Sequence, residues 1–226
     1  MHPLLDNPVF NALSSGDSHL GTGTENVKYF DKEVSPYAGF RDEYQNGFAE
    51  LHQLLPEGRN ILYATRTKIS EPKGWKMIVE IEGLQFVFES EKSIVHNEIE
   101  LVPLERKHVD EMIALAKLTK PGPFDRRTIE FGNYFGVFEN EKLVAMTGQR
   151  LHVPGFSEVS AVCTHPMHLG KGYAGILLKQ QIDIIIKSGQ HPFLHVRSDN
   201  ERAIALYKRI GFRVNGPMNF YFLKKV

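Results

Sequence analysis

The chain has one cysteine, Cys163, among 226 residues. No disulfide can form within it, and a reducing, cytoplasmic setting is expected. It has no charge excess of either sign, because 27 Lys and Arg balance 27 Asp and Glu. Net charge therefore gives no reason to expect nucleic acid or a membrane as partner. No apolar run approaches the ~20 residues that a helix needs to cross a bilayer. The opening stretch MHPLLDNPVF lacks a basic segment ahead of an apolar one, so no secretory signal is expected. GxxxxGK[ST] does not occur, and Gly170–Gly175, although spaced as GxGxxG, is not read as a dinucleotide loop, because that spacing alone is a weak signal. His165 and His168 stand near Cys163, but two histidines and a thiol in one turn is not a zinc spacing, and no metal is expected. Repeats and low-complexity tracts are also missing. Aromatic residues are plentiful: fifteen Phe and eight Tyr promise a filled core or an apolar pocket.

The first 96 residues predict a small α+β unit. Asp6 or Asn7 caps a helix with Pro8 at its first position. Ser14–Thr24 is rich in Ser, Gly and Thr and suits a loop. Tyr44, Phe48, Leu51 and Leu55 recur at helical spacing and predict a helix over Asp42–Leu55. Strands are expected at Asn60–Thr67, Lys76–Ile81 and Leu84–Phe88, with Glu82-Gly83 as the tight turn between the last two. Nothing in this half assembles a catalytic constellation, and Trp75 is expected to pack on a strand. A boundary is expected near Glu89–His96, giving units 1–96 and 97–226.

The rest alternates strand and helix. A short strand at Glu98–Val102 precedes a helix over Glu105–Lys117, which Lys120-Pro-Gly-Pro123 breaks. A second short helix is expected at Asp125–Phe131. Tyr134–Phe138 and Leu143–Val153 predict a hairpin, and Pro154-Gly155 turns the chain into a central strand, Glu158–Thr164. His165-Pro166 ends that strand, and Gly170-Lys171-Gly172 opens a helix with Leu177, Leu178, Ile182 and Ile185 on one face. Pro192–Arg197 is a further strand, expected parallel to the central one. Asp199 or Asn200 caps a helix carrying Ala203, Leu206, Tyr207 and Ile210 at i, i+3, i+4 and i+7. Phe212–Asn215 and Met218–Lys224 then form an antiparallel pair. This order predicts an α/β (α+β) fold, a mixed sheet with helices on both faces.

Within that order the chemistry concentrates at Leu169–Gly175. Glycines let a backbone approach a ligand closely, and the free amides of a first helical turn favour an anion, phosphate above all. Leu169-Gly170-Lys171-Gly172-Tyr173-Ala174 resembles the pyrophosphate signature Arg/Gln-x-x-Gly-x-Gly/Ala of the GNAT superfamily of acyl-CoA-dependent N-acyltransferases. Gly172 and Ala174 match, whereas Leu169 replaces the usual Arg or Gln. Asn200-x-x-Ala203-x-x-Leu206-Tyr207-x-x-x-Gly211-Phe212 resembles the same family's cofactor-proximal helix and the turn after it. The likeness covers Glu98–Val226, and EVSAVCTHP is similar to a bacterial branch that also carries an N-terminal extension. The first 96 residues then suggest a degenerate copy of the same fold.

The resemblance implies a GNAT fold with a mostly antiparallel central sheet, and transfer of an acetyl group from acetyl-CoA to a primary amine by direct attack in a ternary complex. It implies cofactor contacts from Val162, Cys163 and Thr164 on the strand, from Leu169, Gly170, Lys171, Gly172, Tyr173, Ala174 and Gly175 in the loop, and from Asn200 and Ala203. Lys171 is either a phosphate partner or a solvated loop lysine. Tyr207 is the candidate general acid for the leaving thiolate. Glu158 is the candidate general base, with His152 and Glu130 as weaker alternatives. Cys163 is expected to point into the core rather than carry an acyl group. The acceptor is a small molecule or peptide amine, with Tyr134, Phe135 and Phe156 suggesting an apolar wall; the chain is expected as monomer or homodimer. The competing expectations are a non-catalytic acyl-CoA sensor and a phosphate-loop nucleotide-binding protein.

Overall fold

A computed structural model describes residues 2–90 and 99–226. The expected boundary segment falls largely on residues 91–98 and, with the first residue of the expected Glu98–Val102 strand, lies outside the described residues. Along the chain run α1 (Pro8–Leu13), β1 (Gly21–Gly23), β2 (Val27–Phe30), β3 (Ala38–Phe40), α2 (Gly47–Leu54), β4 (Asn60–Thr65) and β5 (Trp75–Phe88). After them come β6 (Val102–Pro103), α3 (Val109–Thr119), β7 (Phe135–Glu139), β8 (Lys142–Val153), β9 (Phe156–Thr164), α4 (Tyr173–Lys187), β10 (His191–Arg197), α5 (Glu201–Ile210) and β11 (Phe212–Lys225).

Eight strands form one sheet in the order β4-β11-β5-β10-β9-β8-β7-β6. Only β9 and β10 are parallel among these neighbours. The sheet thus takes β4 and β5 from the first 96 residues and the other six from beyond. α1 and α3 pack on one face through Val9, Leu13, Met112 and Leu115. α4 and α5 cover the other through Leu178, Ile182, Ile185 and Tyr207. The aliphatic stripe of α4 is the one that the helical spacing predicts, and each such side chain, fully buried, stabilises by roughly 1.5–3 kcal/mol. Asn7 caps α1 by accepting from the Phe10 amide.

Two expected turns are strand interiors. Glu82 and Gly83 lie within β5, opposite Asn219 and Met218 of β11, and Gly83 also pairs with Arg197 of β10. A Cβ on Gly83 would stand 2.8 Å from the Phe220 ring and 3.0 Å from the carbonyl oxygens of Met218 and Val196. The glycine is there for close approach between strands, not for a reversal. Gly83→Ala is therefore expected to lower stability by about 1–3 kcal/mol, read as a lower thermal midpoint with activity per folded molecule retained. Likewise Phe212–Asn215 and Met218–Lys224 are not a hairpin. They are one strand, with a bulge between Val214 and Gly216 that absorbs the Asn215-Gly216-Pro217 sequence. The loop expected at Ser14–Thr24 contains β1, which joins β2 and β3 in a separate three-stranded sheet.

Candidate functional site

The central strand pair opens where it should be closed. β9 and β10 pair through Phe156–His191, Ser157–Pro192 and Glu158–Phe193 only, although β9 continues to Thr164 and β10 to Arg197. The cause lies in β9. Its register against β8 slips between Gly148–Ser160 and Met146–Cys163, so that Ala161 and Val162 together face Thr147. Ala161 takes φ 52°, a left-handed conformation that costs a non-glycine residue roughly 1–2 kcal/mol. The Thr147 hydroxyl donates to the Ser160 carbonyl at 3.0 Å and holds the bulge. Bulges bend a strand and release main-chain groups from the ladder, and here the bend leaves a gap between two parallel strands.

That gap belongs to a cleft of about 1260 Å³. Eleven of the twelve expected cofactor residues line it, the exception being Lys171. Thr164 contributes a buried hydroxyl oxygen with no hydrogen-bond partner, a donor that a bound ligand would satisfy. Cys163 is 6% exposed, and burial pushes its thiol up to about 11, as befits an inert core cysteine.

The glycine loop forms the mouth. Gly170 and Gly172 adopt φ 83° and 84°, and a Cβ on either would meet nothing within 4 Å, so the space over the loop is open. The amides of Gly170, Lys171, Gly172, Tyr173 and Ala174 have no acceptor among the described residues. Five consecutive free N–H groups at the start of a 15-residue helix are an anion-binding arrangement. Lys171 does not add its charge to the mouth. Its ammonium donates to both Glu139 oxygens at 2.8 and 2.9 Å, and Glu139 also binds His168 at 3.0 Å and the Tyr173 hydroxyl. Hydrogen bonds from Lys171, Tyr173 and His168 hold the Glu139 carboxyl at about 2, so the cluster pins the loop.

α5 forms one wall. Asn200 caps it, its Oδ1 accepting from the Ala203 amide at 3.2 Å, while its Nδ2 has no partner among the described residues. Two turns on, Tyr207 lines the cleft with its ring edge-on to Phe86 and Phe212. No described group bonds its hydroxyl, and burial pushes it up to about 12.

Glu158, the expected base, sits deeper than a proton acceptor should. It is 1% exposed. Arg150 Nε and Nη2 each donate to it at 2.8 Å, and His195 Nδ1 approaches at 2.7 Å. Burial alone would raise the carboxyl; the Arg150 charge and the His195 contact overcome it and hold it at about 2. A carboxylate so stabilised is a poor base. The His195 tautomer follows from the surrounding bonds. Arg66 Nη2 must donate to Gln85 Oε1, so Gln85 Nε2 donates to His195 Nε2 at 2.9 Å, leaving the ring proton on Nδ1 to donate to Glu158. His152 binds Asp17 and Glu130 binds Arg127, and neither lines the cleft.

Arg150, His195 and Gln85 were not foreseen. The turn at Pro154-Gly155, continued in plain register, would put Leu151 opposite Glu158. A second bulge, with Leu151 at φ 46°, brings Arg150 there instead. The expected acceptor wall is also different. Tyr134, Phe135 and Phe156 do not line the cleft; Tyr37, Phe124, Phe220 and Phe222 do.

The site is thus a parallel strand pair split by a bulge, with a free-amide loop at one end of the gap and a tyrosine at the other. The family model described as FR47-like protein matches residues 134–222. A solved GNAT-family structure from Novosphingobium aromaticivorans is 32% identical, superposes with a TM-score of 0.91 and covers 100% of both chains. N-alpha-acetyltransferase RimI of Mycobacterium tuberculosis is 33% identical over 106 residues, 45% of this chain and 66% of that protein. A protein of Mycobacterium leprae is 38% identical over 103 residues, 44% of this chain and 28% of that one. The chain thus aligns with less than two thirds of the length of these two mycobacterial relatives. It belongs to the GNAT family of acetyltransferases.

Proposed function

We propose that the chain transfers an acetyl group from acetyl-CoA to a primary amine, by direct attack while both are bound. The observation that carries this reading is the row of five free amides beside a gap between diverging strands that ends at an unbonded tyrosine hydroxyl. The residues fit the cofactor: the loop amides suit its diphosphate, and Thr164 Oγ1, Asn200 Nδ2 and the main chain at the Ala161–Val162 bulge suit its amide-bearing arm. When bound, the thioester supplies an activated acetyl group. Holding the reactants in register supplies much of the acceleration. Tyr207 keeps a proton available where a thiolate leaves. Glu158 positions Arg150 and His195, and the amine's proton passes to cleft water.

Calorimetry with coenzyme A, ATP and NAD tests the cofactor, and thiol release with an amine panel tests the transfer. Coenzyme A should bind and the other two should not. Gly172→Val should weaken coenzyme A binding by about 1–3 kcal/mol or more, because a branched side chain at φ 84° distorts the cradle. Unchanged affinity in that variant, or binding of ATP in place of coenzyme A, would sink the reading. Coenzyme A binding without thiol release from any amine would leave a sensor.

A further inference from the structure

The acceptor half of the cleft has a definite chemistry. Its floor comes from the far side of the sheet, where cross-strand register sets Ala64, Phe220 and Ile81 in one row and Leu62, Phe222 and Val79 in the next. Leu62, Ile81, Phe220 and Phe222 line the cleft there, with Tyr37 and Phe124 as walls. At the inner end lies Arg150, its side chain 12% exposed and its guanidinium stacked 4.8 Å over the Tyr37 ring. Nε and Nη2 are spent on Glu158; Nη1 has no partner among the described residues. The loop after α3 passes beside it, a Cβ on Gly122 falling 4.0 Å from Nη1. Lys117 and Lys120, at the end of α3, line the same cleft and have no acidic partner among the described residues.

Equally informative is what the lining omits. Among the described residues that line the cleft there is no Asp or Glu. A polyamine or a lysine-rich peptide would bring several positive charges to a chamber lined by Lys117, Lys120 and Arg150, whose nearest carboxylate, Glu158, is already engaged by Arg150 and His195. A carboxylate would find the free Arg150 Nη1 and the two lysine ammoniums, groups that bind it through charge-assisted hydrogen bonds. The aromatic floor needs an apolar body to fill it.

We infer that the acceptor is an amine that also carries a carboxylate on an apolar, ring-bearing body, of the kind an aromatic amino acid presents. The ring lies on Phe220 and Phe222, the carboxylate reaches Arg150 Nη1 and Lys120, and the amine is left to face the strand gap. This rests on the acetyltransferase reading of the cleft for its purpose, but not for its binding chemistry.

The test is calorimetry on the full chain saturated with coenzyme A, with L-phenylalanine, phenethylamine, L-alanine and spermidine. L-Phenylalanine should bind tightest. Loss of the carboxylate or of the ring should each weaken binding by about tenfold or more, and spermidine should not bind. Lys120→Glu, an exposed position that folding tolerates, should weaken L-phenylalanine by about tenfold while leaving phenethylamine within about twofold; Lys117→Glu is the second variant. Binding of spermidine or phenethylamine as tight as L-phenylalanine overturns the inference, as does failure of L-phenylalanine to bind or indifference to both lysine variants. Thiol release with the same compounds separates the two readings. Binding in the expected order without thiol release sinks the transfer and leaves the recognition standing, whereas thiol release with spermidine does the reverse.

Discussion

Glu158→Gln should lower stability by about 3–5 kcal/mol, because removing one member of a buried ion pair strands the other. Arg150 would keep its charge with 12% of its side chain exposed, and the new amide nitrogen would face a donor on Arg150 or His195 whichever way it turned. For a chain of this length the loss corresponds to a fall of roughly 10 °C in melting temperature. The pH dependence has a definite sign. The carboxyl ordinarily titrates at 4.5 and is held at about 2 in the fold. Its contribution is therefore complete above about pH 5 and is lost as pH falls from there towards 2. Thermal melts of the wild type should weaken across that window, and the variant should lose most of this dependence. The same substitution separates a positioning group from a base. A base held at about 2 cannot produce an acidic limb near neutrality. That limb should follow the acceptor's own ionisation and keep its midpoint in Glu158→Gln, while turnover per folded molecule falls as Arg150 and His195 lose their anchor. A limb that vanishes in the variant would restore Glu158 as the base.

How much of this was legible in the sequence depends on how far apart the partners lie. Loop, cap and helix are local, so Leu169–Gly175, Asn200 and Tyr207 could be read with the spacing intact, and the structure brings all of them but Lys171 to one cleft. Lateral pairing is not local. Glu82-Gly83 has the composition of a turn, and only the strands on either side make it a straight crossing. The Arg150–Glu158 pair depends on Leu151 bulging at φ 46°, and nothing in the alternation of β8 signals one extra residue. The acceptor floor is the least legible part. Leu62, Phe220 and Ile81 come from three strands that lie in the order β4, β11, β5, brought side by side by a sheet that spans both halves of the chain. The resemblance that reveals the loop covers residues beyond 97 and says nothing of the strands before it.

Tyr207→Phe should reduce turnover by about 10²-fold, within the range that one positioned proton donor contributes, and leave coenzyme A affinity and stability nearly unchanged. A structural tyrosine of this burial would have its hydroxyl bonded, and deleting that bond would cost about 1 kcal/mol or more. Here no described group bonds it, so removing the oxygen should cost the fold little and the packing against Phe86 and Phe212 survives. Burial pushes the hydroxyl up to about 12, so it is protonated at every usable pH and needs no partner to keep its proton. Burial likewise pushes the Cys163 thiol, which packs in a separate core cluster, up to about 11. A thiolate released beside Tyr207 meets a comparable environment and becomes a stronger base than it is in water, which narrows the gap that proton transfer must cross. Steady-state kinetics and calorimetry on one preparation read the three quantities together. A fall in turnover with unchanged affinity and melting temperature marks a proton donor; an equal fall in melting temperature marks a packing residue; unchanged turnover removes Tyr207 from the chemistry.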